Sequence, residues 1–193
     1  MKLTTQIGGA YGANGRLPFE IKSKLETVGV TVKHPFAEYA EKDAWPPYDI
    51  YVDYFESLGT SNFHVACNEI YGLEGYCNED MAREIVYAMS KRKPIILLHV
   101  PVFEGHIDPH FQDIITRKLK QLIVCDIARL DQTDLRRLVA SIGNSSTSYG
   151  FTNKENAVIS RSVCEHFVNL ARQARDKDQH SSQHTPTALA NRR

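Results

Sequence analysis

Tyr76-Cys-Asn-Glu-Asp-Met-Ala-Arg-Glu-Ile-Val-Tyr-Ala-Met-Ser-Lys-Arg-Lys-Pro-Ile-Ile-Leu-Leu98 sets the architecture of the whole chain. A polar turn opens a helix, a Lys/Arg-rich segment stops it, and an apolar strand follows. Met81, Glu84, Ile85 and Ala88 recur at i, i+3, i+4 and i+7, so they share one face of that helix. Three of the four are ordinary core residues and the fourth is a carboxylate. Burying a charge is costly unless it is paired or used, so the misfit at Glu84 marks a candidate site.

Outward from this unit, strands and helices alternate. Lys2 to Ile7 reads as a first strand, followed by a glycine-rich turn from Gly8 to Arg16. Pro18 suits a first helical turn and Gly29 the end of that helix. Val30 to Lys33 is a second strand, Tyr48 to Leu58 a helix, and Phe63 to Ile70 a third strand. Between them, Phe36 to Pro47, with the single tryptophan Trp45, reads as an excursion that serves as a pocket wall or as a plain surface loop. After Leu98 come a helix over Phe111 to Leu119, a strand over Gln121 to Ile127, and a helix over Asp131 to Ile142. This pattern predicts an α/β domain over residues 1–142: three layers, flavodoxin-like or Rossmann-like, with a five-stranded, mostly parallel sheet. A linker over 143–155, an amphipathic helix over 156–175 and a disordered tail over 176–193 complete the expected organisation.

Composition narrows the function classes. The 193 residues carry 23 Lys+Arg against 23 Asp+Glu, for a net charge of +0, which gives no electrostatic footprint for nucleic acid or an anionic membrane. No apolar run approaches a membrane span or a signal peptide. Cys67, Cys77, Cys125 and Cys164 are dispersed and form no C-x-x-C pair, so reduced thiols and a cytoplasmic location are expected. His99, His106 and His110 lack metal-ligand spacing. No metal or cofactor is expected.

In a parallel α/β sheet, ligands bind beyond the carboxyl ends of the strands. The loops Gly8 to Arg16, Asn68 to Cys77 and Pro101 to Pro109 leave those ends. Glu84 sits one turn inside the helix that follows the second loop, with Tyr87 on the adjoining face. Partial burial raises a carboxyl pKa and a hydroxyl donor restrains that rise. Such a group can act as nucleophile or general base.

Glu84-Ile85-Val86-Tyr87-Ala88 followed by Lys93-Pro94-Ile95 resembles the nucleoside 2-deoxyribosyltransferase family. Its pattern is an Asp, five residues, Glu-(Leu/Ile)-Gly-Tyr-Ala, and then Gly-Lys-Pro-Val. The order of elements fits over residues 1–142, and the motif itself is confined to 76–98. The resemblance implies cleavage of an N-glycosidic bond and transfer of the sugar to another base, with Glu84 attacking C1′ and Tyr87 orienting it. A free nucleobase and a small nucleoside are then the partners. It also implies a homo-oligomer, since in the family a neighbour's carboxyl-terminal residues commonly complete the site.

The departures fall on acids. The family aspartate is Asn78 here, which cannot protonate a leaving base, and Asp80 is the nearby substitute. Asn62 stands where relatives carry another aspartate, and Val86 replaces a glycine. Gly8, Gly9, Tyr11, Arg16, Asn62 and Asn68 are the candidate substrate-binding residues. Glu79 and Asp80 at the helix start would repel a phosphate there, so an uncharged nucleoside is favoured over a nucleotide. The alternatives are an N-glycoside hydrolase of nucleosides or nucleoside 5′-monophosphates, and a nucleotide-binding sensor domain without catalysis.

Overall fold

The computed structural model describes residues 2–9, 16–33, 47–143, 145 and 147–183; the side chains of 47–50, 174 and 176–183 lie outside that description. Five strands form the main sheet: β1 (Thr4–Gly9), β2 (Thr31–Lys33), β3 (Phe63–Cys67), β7 (Ile95–Leu97) and β9 (Ile123–Val124). Their order is β2-β1-β3-β7-β9 and every pairing is parallel. In chain order this is the 2-1-3-4-5 arrangement of flavodoxin-like folds, whose switch point lies between β1 and β3. The expected fold class is what the chain adopts.

Six α-helices are described: α1 (Leu17–Thr27), α2 (Pro47–Thr60), α3 (Glu79–Ser90), α4 (Pro109–Lys118), α5 (Gln132–Gly143) and α6 (Asn153–Gln183). Strand alternation sends Ile7, Val65 and Ile96 into a core closed by α1 and α5. Ala66, Ile95 and Leu97 face the opposite way, into a core closed by α2, α3, α4 and α6. This second layer positions the site.

The α3 unit forms for the reasons its sequence suggests. Asn78 is the N-cap, its Oδ1 accepting from Met81 N–H at 3.0 Å, so its side-chain oxygen holds the helix start. In the expected stop region, Arg92 adopts φ 57. Gly29 beyond α1 adopts φ 87, the left-handed geometry that favours glycine.

Two segments differ from the sequence reading. The expected strand Phe63 to Ile70 divides, because Asn68 leaves the sheet and Glu69–Ile70 (β4) pairs antiparallel with Leu73–Glu74 (β5). Downstream, Tyr76–Cys77 (β6) and Val102–Phe103 (β8), both expected to be loop, form a short parallel pair. The last helix begins at Asn153 and continues to Gln183, past the Arg175 boundary. Its start is fixed by Thr152, whose N–H and hydroxyl both donate to Glu155, at 2.8 and 3.0 Å. Upstream, Tyr149 donates to the Lys93 carbonyl at 2.7 Å, so the linker is tied to the domain. The excursion over 36–46, including Trp45, lies outside the described residues. No helix among the described residues is long and apolar enough to cross a membrane.

Candidate active site

Glu84 is 5% exposed, in the second turn of α3. Its Oε2 accepts a hydrogen bond from the Tyr54 hydroxyl of α2 at 2.7 Å. Burial dominates its electrostatics and pushes the carboxyl up to about 8; the Tyr54 bond and Arg83 pull down, while Asp80 pushes up. A buried carboxyl with one good donor thus keeps its proton near neutrality, a feature concentrated at functional sites.

Gly8, near the carboxyl end of β1, provides the space. A Cβ there would run into the Tyr54 hydroxyl and Glu84 Oε2, and would lie 2.9 Å from His64 Cε1. Tyr54, Glu84 and His64 therefore converge on one bare stretch of backbone at the β1/β3 switch point. Gly9 pairs with Cys67 and adopts φ 152 with the Cys67 carbonyl at 2.9 Å from a would-be Cβ, so its lack of a side chain serves strand packing.

Around Glu84 a charged rim is tied together by Arg83. This guanidinium, 8% exposed, donates to Asp80 Oδ1 at 2.6 Å and Glu79 Oε1 at 3.0 Å, with Ser162 of α6 at 3.4 Å. Glu79 also accepts from the Asp108 N–H at 2.7 Å. From α6, His166 stacks edge-on against Tyr51 of α2, with ring centroids 5.0 Å apart. Its titration is lowered mainly by burial, then by Arg83, with Asp80 opposing. Tyr51 is raised by burial and by the nearby Asp80 and Glu84. The carboxyl-terminal helix thus contributes directly to the walls of the site.

The sequence candidates divide accordingly. Glu84, Gly8 and Asp80 come together. Asn78 caps the helix through its side-chain oxygen, and Asp80 is bound by Arg83 rather than standing free as an acid. Tyr87 does not orient Glu84: its ring packs edge-on against Phe55 at 4.9 Å, Lys91 lies over it, and its hydroxyl faces Gly59. Tyr54 holds the orienting position. Asn62 sits at the opposite edge of the sheet, where its Oδ1 accepts from the Thr4 N–H at 2.8 Å and the Thr4 hydroxyl at 3.1 Å. Asn68 is at the correct edge but fully buried, and its amide pairs with both backbone groups of His99, at 2.7 and 3.0 Å. It clamps the ends of β3 and β7 through that backbone. Arg16 is exposed at the N-cap of α1, and Tyr11 lies outside the described residues.

Tyr54, Arg83, His64 and His166 were missed. His64 had a legible signal, since a histidine amid Phe63, Val65 and Ala66 is the same polar-in-apolar misfit as Glu84. Tyr54 follows Tyr51 at i+3, but nothing in the spacing distinguishes its hydroxyl from ordinary core.

No protein-family model matches the chain, and no curated protein matches it. Among solved structures, the chain is similar to a 2-deoxyribosyltransferase of the psychrotolerant bacterium Bacillus psychrosaccharolyticus, at 13% identity and a TM-score of 0.45, over 75% of this chain and 97% of that one. A likeness at this level carries no argument about activity. The strand order itself defines the fold.

Proposed function

We propose that the chain is an N-glycosyl-transferring enzyme acting on a nucleoside, of the 2-deoxyribosyltransferase type, with Glu84 as nucleophile. One observation carries the reading: a buried carboxyl, held by a phenol, facing bare backbone at the switch point of a parallel sheet. The ionised carboxyl attacks C1′ as the C1′–N bond breaks, the arrangement that retaining glycosidases use. The departing base leaves as its anion and takes from solvent the proton that Glu84 released on ionising. A second base then attacks C1′ of the glycosyl ester, loses its own N–H proton, and frees the carboxylate. Tyr54 keeps Oε2 in place through both steps. The carboxylates of Glu79 and Asp80 at the head of α3 disfavour a phosphate at that helix end, which supports a nucleoside substrate.

The test incubates the protein with a deoxynucleoside and a different free base and separates the products chromatographically. Exchange in the wild type, absent in Glu84→Ala, is expected. A folded wild type that exchanges nothing across a panel of purines and pyrimidines overturns the reading. Free base released without an acceptor present identifies hydrolysis instead.

A further inference from the structure

Glu79 and Asp80 suit the positive end of a helix, and Arg83, four and three residues on, pairs with both. Facing water, such an arrangement contributes little. Arg83 does not face water. It is 8% exposed, whereas the Asp80 side chain that covers it is 45% exposed. Taking a cation out of water is costly unless its donors are met, and here every nitrogen of the guanidinium is used. Nη1 donates to Asp80 at 2.6 Å, Nη2 to Glu79 at 3.0 Å and Nε to Ser162 of α6 at 3.4 Å. Glu79 is itself fixed by the Asp108 N–H. A planar fork anchored to two helices in this way is a fixed charge rather than a mobile one.

That charge lies within reach of the site. It favours the ionised form of Glu84 and of Tyr51 and the neutral form of His166, and Asp80 opposes it at each of the three. The other groups around Glu84 bring no cation among the described residues. Tyr54 of α2 donates a neutral hydroxyl hydrogen bond, and Tyr51 beside it packs against His166 of α6, whose titration burial lowers. From β3, His64 is a neutral ring, lowered to about 4 by burial. The thiols of Cys67 in β3 and Cys77 in β6 are pushed up by burial, with Glu84 adding to the rise, and stay uncharged. Three carboxyls thus stand within six residues of α3, and Arg83 is what offsets them.

We propose that Arg83 is a positioning residue for glycosyl transfer: clamped by Asp80, Glu79 and Ser162, its guanidinium supplies the fixed positive charge against which Glu84 ionises. The inference rests on the proposed function for its catalytic meaning. Once Glu84 is ionised, its oxygen bonds C1′ and the C1′–N electron pair leaves with the base. One negative charge passes from Glu84 to the base, and the second half-reaction returns it. The pocket therefore carries one negative charge at both stages. A guanidinium, which neither gives nor takes a proton, balances that charge without entering the proton transfers. Asp80 mutes part of it, so the Asp80–Arg83 pair sets how readily the nucleophile ionises. The carboxyl stands at about 8 with both members in place.

The decisive measurement titrates the full chain, without substrate and labelled with 13C-glutamate, by NMR from about pH 5 to about pH 10.5. The Glu84 resonance is the one that Glu84→Gln removes. Arg83→Gln keeps a donor for the carboxylates but no charge, and is expected to raise the Glu84 midpoint by about one unit. Asp80→Asn unmasks the guanidinium and is expected to lower it by about as much, and Arg83→Lys to restore it. A merely structural role gives another pattern. Loosening the head of α3 lets water reach Glu84, a hydrated carboxyl titrates lower, and all three variants would then move down together. A midpoint that falls or stays in place in a folded Arg83→Gln protein overturns the proposal, as does Arg83→Lys tracking Arg83→Gln. Where Arg83→Gln alone does not fold, the double variant Asp80→Asn/Arg83→Gln is compared with Asp80→Asn. A midpoint about one unit higher in the double variant is expected, and equal midpoints overturn the proposal. In exchange assays at pH 7, Arg83→Gln is expected to run about tenfold slower than wild type and to recover as pH rises through its own midpoint; a deficit that persists above that midpoint overturns the role of charge. Because the titrations need no turnover, a silent exchange assay beside shifted midpoints removes the proposed function and leaves the hold of Arg83 on Glu84. Exchange beside an unmoved midpoint does the reverse.

Discussion

Replacing Glu84 with glutamine should make the protein more stable, by an amount that grows with pH. The carboxyl titrates at about 4.5 in the unfolded chain and about 8 in the folded one. A raised folded value means that the native state holds the proton more tightly. Its contribution is therefore fully present below about pH 4.5, declines as pH rises through the interval, and is gone above about pH 8. Linkage over this interval costs about 3 kcal/mol at pH 7 and about 5 kcal/mol by pH 9. Glutamine mimics the neutral acid, keeps an oxygen for the Tyr54 hydroxyl, and has no proton to lose. At about 2–4 °C per kcal/mol for a chain of this size, Glu84→Gln should melt about 6–12 °C above wild type at pH 7. Near pH 5 the difference should shrink to about 2–3 °C. Circular dichroism melts at pH 5, 7 and 9 measure this directly. A difference in Tm that stays constant across the three pH values would refute the claim that Glu84 is buried as an acid and ionises at a cost. In the exchange assay the same variant should be inactive, so the stabilising substitution is also the disabling one.

Two further outcomes follow from the same contacts. Tyr54→Phe removes the hydroxyl that favours the ionised carboxyl, a bond worth about 1.5–3 kcal/mol; the Glu84 midpoint in 13C NMR should rise by about one to two units, and an unchanged midpoint would mean that the phenol does not hold Oε2. Gly8→Ala drives a methyl into the Tyr54 hydroxyl and Glu84 Oε2, which should cost about 1–3 kcal/mol by denaturant unfolding and abolish exchange, whereas a fully stable, active Gly8→Ala protein would show that the three groups do not converge there.

The fold was legible because its evidence is repetitive. Apolar strands alternate with helical stripes, and the stop at Arg92 and Gly29 is written in backbone-permissive or charged residues. Glu84 was legible for the opposite reason, as a single residue that breaks its own stripe. Hydrogen-bond partners were not, because they come from elements distant in sequence: Tyr54 lies 30 residues upstream of Glu84, and periodicity within one helix cannot see across two. Asn62 and Asn68 illustrate the converse error. Both stand at strand ends, yet one caps the far edge against Thr4 and the other satisfies the His99 backbone, so a polar side chain at a strand end reports a buried backbone need as readily as a ligand. The splitting of the third strand escaped notice because Glu69 and Ile70 continue its alternation, and only the turn at Tyr71 (φ 48) and Gly72 (φ 78) reverses the chain there.

The strand order also carries a consequence for how the molecule assembles. Neighbours in the sheet are separated by unequal stretches of chain: Thr4 meets Thr31 and His64 meets Ile95, but Gln6 must find His64 across 58 residues. Closure entropy grows with the logarithm of that separation, about 0.6 kcal/mol for each doubling. The β1/β3 seam is therefore the most expensive junction to close, and it is the one on which Glu84, His64 and Gly8 converge. Gly8 comes from one side of that seam and His64 from the other, so the candidate site has its shape only in a chain that has closed it.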